Sequence, residues 1–165
     1  MFHVNKAYTV GIADMKICRA PEVLVTYALG SCVGICIYDP VIRLAGLIHI
    51  MLPNMNKNMQ DKNILKYADV GIPEMIRKMI AFGAVQQRLV AKIAGGAKMF
   101  ELSGGNSSID NIGARNVESV KDVLRRERIR ILKEDVGSNY ARTVYFYSET
   151  GEVIVKTFGK GEIKL

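Results

Sequence analysis

Cys32 and His49 are the residues whose types and placement could do chemistry, because each is a reactive side chain set in an otherwise apolar stretch, "LGSCVGICIYDP" and "RLAGLIHIMLP". A thiol and an imidazole held together make a nucleophile and a base for acyl transfer. Asp39 and Pro40 are the residue types favoured at the first two positions of a type I turn, so residues 39–42 read as a four-residue hairpin loop. That loop sets Tyr38 opposite Arg43 and, six residues further along each strand, Cys32 opposite His49. Opposed residues lie on one face of the sheet with Cβ atoms about 4.5–5.5 Å apart. An imidazole so close is expected to lower the thiol pKa and to make Cys32 the thiol alkylated fastest at neutral pH. Gly30 and Ser31 put the cysteine at the start of its strand, where a turn leaves backbone N–H groups free to hold an oxyanion.

The remaining candidates read as structure. Cys36 shares the face of Cys32 but lies about 13 Å along the strand, at roughly 3.3 Å per residue, so the two cannot chelate one metal. No C-x-x-C spacing occurs, and no metal is expected. Cys18 and Cys36 read as packing residues and His3 as a solvated one. Gly95 and Gly96 in "AGGAKMF" let backbone N–H groups approach an anion. The segment lacks the spacing of either nucleotide-binding glycine motif, so it reads as a tight strand exit beside the site.

Positioning these groups falls to a chain rich in strands. Residues 8–18, 22–29, 32–38 and 43–52 are rich in Val, Ile, Leu and Tyr and are divided by "RAP", "GS" and "DPVI". After the polar loop "NMNKNMQDKN", Ile72, Met75, Ile76, Met79 and Ile80 recur at helical spacing up to Gly83, with Pro73 near the helix start. Residues 88–94 form a strand. The loop "SGGNSSIDNIGARN" leads to a helix with Val117, Val120, Val123 and Leu124 on one side, and residues 129–132, 143–147 and 153–158 are strands. The expected fold is α+β, a β-sandwich of mixed or antiparallel strands with two main helices packed outside it.

A chain of 165 residues with 49% hydrophobic content folds as one domain, 1–165. It has neither a signal-peptide pattern nor an apolar run of about 18 residues, so cytoplasmic location without membrane insertion is expected. Three cysteines argue for free thiols rather than a disulfide framework. The net charge of +7 would suit nucleic acid, an acidic membrane surface or an acidic protein. The densest basic stretch, "RRERIRILK", is interrupted by Glu127 and carries no aromatic to stack a base, so no nucleic-acid partner is expected.

"LGSCVGICIYDP", "HIMLP", "KYAD", "KIAGGAKMF" and "NIGARNV" together resemble the CheD family, the chemoreceptor glutamine deamidases of bacterial chemotaxis, over most of the chain. The resemblance implies a protein-glutamine glutaminase that needs no cofactor, with Cys32 as nucleophile and His49 as base. It also implies a third member, Thr26, which spacing alone would leave as a β-branched strand residue. The implied fold is a layered αββα type similar to the catalytic domain of cytotoxic necrotizing factor toxins. The implied partners are methyl-accepting chemotaxis receptors, through their helical, acid-rich cytoplasmic part, and the CheC phosphatase. Two other classes fit the residues. One is a non-catalytic chemotaxis adaptor that binds receptors or CheC without a reactive thiol, and the other is a nucleotide-binding domain that holds phosphate on "AGGAK". The asparagine-rich loop 54–63, the loop 104–110 and Cys36, at a place where other apolar residues would also do, depart from the family pattern.

Overall fold

In the computed structural model, which describes residues 5–55, 60–99 and 111–165, ten strands form two five-stranded sheets. The strands are β1 (Ala7–Thr9), β2 (Met15–Arg19), β3 (Val23–Leu29), β4 (Val33–Asp39), β5 (Leu44–Ile50), β6 (Val90–Gly95), β7 (Arg130–Val136), β8 (Arg142–Tyr147), β9 (Val153–Thr157) and β10 (Gly161–Lys164). Among the described residues the α-helices are α1 (Ala68–Ala81) and α2 (Ile112–Arg126). One sheet runs β1-β3-β8-β9-β10 and the other β2-β5-β4-β6-β7. Each is mixed, since β1 pairs with β3 and β6 with β7 in parallel while the other pairings are antiparallel. His3 and the loop 104–110 lie outside the described residues, as do residues 56–59 of the asparagine-rich loop.

The second sheet is covered on both faces, which is why β4 and β5 read as continuous apolar runs rather than alternating ones. Val33, Ile35 and Ile37 of β4 and Leu44, Ile48 and Ile50 of β5 meet Ile72, Met75, Ile76 and Met79 of α1 and Val120, Val123 and Leu124 of α2. The opposite face carries Cys36, Tyr38, Ala45 and Leu47, which pack on Leu24, Leu29, Val144 and Phe146 of the first sheet. Both helices therefore lie on one sheet, and the second core lies between the sheets. Cys18 and Cys36 are buried packing residues in that second core. Ile80 is the exception in the α1 stripe, since it is exposed.

The strand expected at residues 129–132 runs on to Val136, β10 was not expected, and two further differences from the sequence reading bear on the site. The first expected strand is two, β1 and β2, which belong to different sheets; the chain breaks between them where Ala13 takes a φ of 57°. The hairpin register is also shifted. Asp39 pairs with Leu44, so the loop is residues 40–43, and Gly34 rather than Cys32 faces His49. Asp39 is the cause: its buried carboxylate accepts from Arg88 (Nη2 at 2.8 Å) and from the N–H groups of Val41 and Val85. It is thus anchored as the last residue of β4 instead of opening the loop. Arg43, at φ 52°, closes the loop in the left-handed region. The shift moves one strand by two residues against the other, and an even shift keeps every side chain on its face. Cys32 consequently keeps the face of His49 but becomes its diagonal neighbour, for which about 7–8 Å is the usual spacing.

The register predicts cross-links. Leu47 faces Cys36 and Ala45 faces Cys18, with Cα atoms of opposed residues about 4.5–5.5 Å apart and so within disulfide reach. Oxidative refolding of Leu47→Cys should link positions 47 and 36, and that of Ala45→Cys positions 45 and 18, as read by non-reducing peptide mapping. A link between positions 36 and 45 would restore the register that the turn residues suggest.

Candidate active site

His49 sits on β5 with its imidazole between the two sheets, fully shut from solvent. Its backbone is tied on the β2 side, where it donates to Asp14 O (3.1 Å) and accepts from the Ala13 N–H (2.9 Å). Gly34 faces it on β4. A Cβ at Gly34 would lie 3.1 Å from Leu29 Cδ1 and 3.6 Å from Thr26 Cγ2, so the absence of a side chain lets the first sheet come close at this point. Through that gap Thr26 of β3 reaches the ring: its Oγ1 is 2.8 Å from His49 Nδ1.

The direction of this bond follows from proton bookkeeping. The buried Thr26 hydroxyl donates to Val10 O at 2.7 Å. A hydroxyl has one proton, so toward the ring it can only accept, and Nδ1 must carry the hydrogen. His49 Nε2 is then the bare nitrogen, and it is buried without a hydrogen-bond partner among the described residues. Burial also brings the imidazole pKa from about 6.5 down to about 4. The ring is thus neutral at physiological pH with one lone pair directed away from Thr26.

Residues 30–32 cross from β3 in one sheet to β4 in the other. All three carbonyls are held: Gly30 O by the Ala97 N–H (2.8 Å), Ser31 O by Asn116 Nδ2 (2.9 Å) and Cys32 O by the Gly96 N–H (2.8 Å). Among the described residues the N–H groups of Ser31 and Cys32 have no backbone acceptor. Gly95, at φ 114°, must be glycine, because a Cβ there would sit 2.3 Å from Cys32 O. Gly95 and Gly96 therefore buttress the cysteine loop, and the N–H of Gly96 is already committed to Cys32.

Cys32 is half-buried, whereas Cys18 and Cys36 are buried. Contrary to the expectation of a depressed thiol, burial raises the Cys32 pKa, partly offset by its own backbone N–H. Burial pushes the Cys18 thiol up to about 11 and that of Cys36 higher still. With the imidazole lowered and the thiol raised, the resting pair is thiol and neutral imidazole rather than an ion pair.

Two residues near this site were not found by sequence reasoning. Asn116 of α2 is buried and donates from Nδ2 to both Ser31 O and Met51 O, each at 2.9 Å. It lies inside "NIGARNV", a signal that pointed to the motif without a role. Arg142, buried at the start of β8, donates to Asp135 Oδ2 (3.0 Å) and to Gly137 O (2.9 Å), fixing the segment that bonds Gly95. A strand-opening arginine carries no sequence signal of this.

Residues 51–157 match the family profile described as CheD chemotactic sensory transduction. A protein of Caldanaerobacter subterraneus subsp. tengcongensis is 52% identical over 157 residues, 95% of this chain and 96% of its own length. One from Lachnoclostridium phytofermentans is 46% identical over 94% of this chain and 96% of its own, and one from Syntrophomonas wolfei subsp. wolfei 50% over 96% and 98%. Each of the three bears the name "Probable chemoreceptor glutamine deamidase CheD".

A buried neutral histidine gives a signed pH dependence. Between about pH 6.5 and 4 the unfolded chain binds a proton at His49 that the folded chain does not, so stability is full above this window and falls as the pH drops through it. The loss is about 3 kcal/mol at roughly 1.4 kcal/mol per pH unit. Urea titrations across this range should show the acid loss in the native protein and a shallower one in His49→Gln. Equal slopes would contradict a buried neutral ring.

Proposed function

This chain belongs to the CheD family, and on that premise we propose that it deamidates glutamine side chains of chemoreceptors to glutamate, with Cys32 as nucleophile, His49 as base and Thr26 as the residue that orients the ring. The observation that carries the reading is the 2.8 Å contact of Thr26 Oγ1 with His49 Nδ1, with the threonine proton given to Val10 O. It leaves Nε2 as an acceptor on the sheet face that Cys32 shares.

The reaction follows from these groups. Nε2 takes the Cys32 thiol proton as the sulfur bonds to the carboxamide carbon, and the carbonyl electrons become an oxyanion within reach of the Ser31 and Cys32 N–H groups. The tetrahedral centre collapses, the C–N bond breaks, and the imidazolium returns its proton to the leaving nitrogen, which departs as ammonia. A thioester remains. Nε2 then takes a proton from water, whose oxygen attacks the thioester carbon; the sulfur leaves, regains its proton, and glutamate is released. In both steps Thr26 accepts from Nδ1–H and steadies the ring as it becomes charged, the role a carboxylate or amide plays in other triads.

A pair that rests neutral is activated by the substrate rather than beforehand. Proton transfer is coupled to attack, so half-burial that raises the thiol does not disable it. The net charge of +7 complements an acid-rich receptor helix. We assign the protein to the cytoplasm as one domain, with chemotaxis receptors as substrate and the CheC phosphatase as regulator.

The test is mass spectrometry of receptor fragments after incubation with the protein, reading conversion of amide to acid at individual glutamines. Cys32→Ala and His49→Ala should remain folded and show no conversion above background. Thr26→Val, which loses the tautomer lock, should lower kcat on the order of 100-fold, as misplacement of a catalytic group does. Turnover by folded Cys32→Ala would eliminate the mechanism.

A further inference from the structure

Beyond the pair Val33–Ile50 the β4/β5 ladder stops, although the two chains continue side by side. The N–H groups of Met51 and Leu52 turn away and donate to Lys66 O (2.8 and 3.1 Å). Into the opening comes the carboxamide of Asn116, whose Nδ2 donates to Ser31 O on the cysteine side and to Met51 O on the histidine side. Both neighbours are carbonyl oxygens, which settles which end of the amide is the nitrogen. One turn further along α2, Ser119 Oγ donates to Pro53 O (2.9 Å), so the helix grips the segment after His49 twice.

We propose that Asn116 is a positioning residue for the reaction: it bridges the chain carrying the thiol to the chain carrying the base, and holds the ladder open so that the N–H groups of Ser31 and Cys32 stay available to the oxyanion. Without the bridge, Ser31 O and Met51 O would need other donors, and across from Met51 the N–H groups of Ser31 and Cys32 are the ones with no backbone acceptor, since those of Met51 and Leu52 are held by Lys66 O. Closing the ladder in that way would draw the Ser31 N–H into the sheet and turn the thiol relative to Nε2. A second feature argues against a role in packing alone. Asn116 Oδ1 is buried with no donor among the described residues, an arrangement that an apolar side chain of similar shape would avoid.

This rests on Cys32 and His49 being nucleophile and base, and the experiment separates the two. Asn116→Asp keeps the shape but offers carboxylate oxygens to two carbonyl oxygens. In receptor-fragment deamidation at pH 8, kcat should fall on the order of 100-fold while KM moves less than about threefold, because geometry and not substrate binding is lost. The introduced carboxyl, shut from water and facing two carbonyls, takes up a proton well above the ordinary carboxylate range and then regains one O–H donor. Its kcat should therefore recover about tenfold as the pH is lowered to about 5.5, where the native protein gains nothing because its imidazole is neutral throughout. A kcat within about threefold of native at pH 8, or a loss with no acid recovery, overturns the proposal. Asn116→Ser, which retains one hydroxyl donor, stands in if the aspartate variant does not fold, and native turnover in it is equally contrary. Cys32→Ala is run beside them: turnover there refutes the nucleophile, whereas its inactivity together with an unaffected Asn116→Asp refutes only the bridge.

Discussion

The single proton of the Thr26 hydroxyl is the constraint on which the site depends. It is given to Val10 O, which leaves Thr26 an acceptor, makes Nδ1 of His49 the protonated nitrogen and leaves Nε2 with a bare lone pair. Most of the architecture serves to bring these atoms together. Thr26 and His49 belong to different sheets, so the contact exists only because the sheets pack closely, and Gly34 removes the side chain that would hold them apart. Val10 reaches the hydroxyl because its own N–H is fixed on Val25 O at 2.7 Å.

Cys32, the proposed nucleophile, is positioned by the opposite strategy. Residues 30–32 are outside any strand, and their shape is imposed by three carbonyl anchors contributed by Gly96, Ala97 and Asn116. Turning the carbonyls to the protein leaves N–H groups for a substrate, the arrangement that oxyanion stabilisation requires. Burial then acts on both partners, lowering the imidazole and raising the thiol. Such a pair does little without a carboxamide beside it, which suits an enzyme whose targets are particular glutamines among many reactive groups.

How much of this the sequence disclosed depended on the range of the interaction. The strand and helix positions were legible because β-branched runs and the Ile and Met spacing of α1 are local. The shared face of Cys32 and His49 was legible too, since it needs only the parity of the hairpin. The pairing itself was not: Asp39 and Pro40 look like loop openers, and the Arg88 anchor that makes Asp39 a strand end comes from 49 residues away. β10 was overlooked because it is four residues long, exposed throughout, and holds a single large apolar side chain, Ile163. Thr26 became visible only through family resemblance, and Asn116 had no readable role, because each acts across elements that meet only in the folded chain.

The most direct test of the account is the tautomer of His49, observed by long-range proton–nitrogen NMR correlation on protein labelled with nitrogen-15 in histidine. The expected result is a neutral ring protonated at Nδ1 and bare at Nε2, unchanged from pH 8 down to about 5 and lost in Thr26→Val, as a hydrogen-bonded partner that fixes the tautomer requires. A ring protonated at Nε2, or an imidazolium at neutral pH, would contradict it.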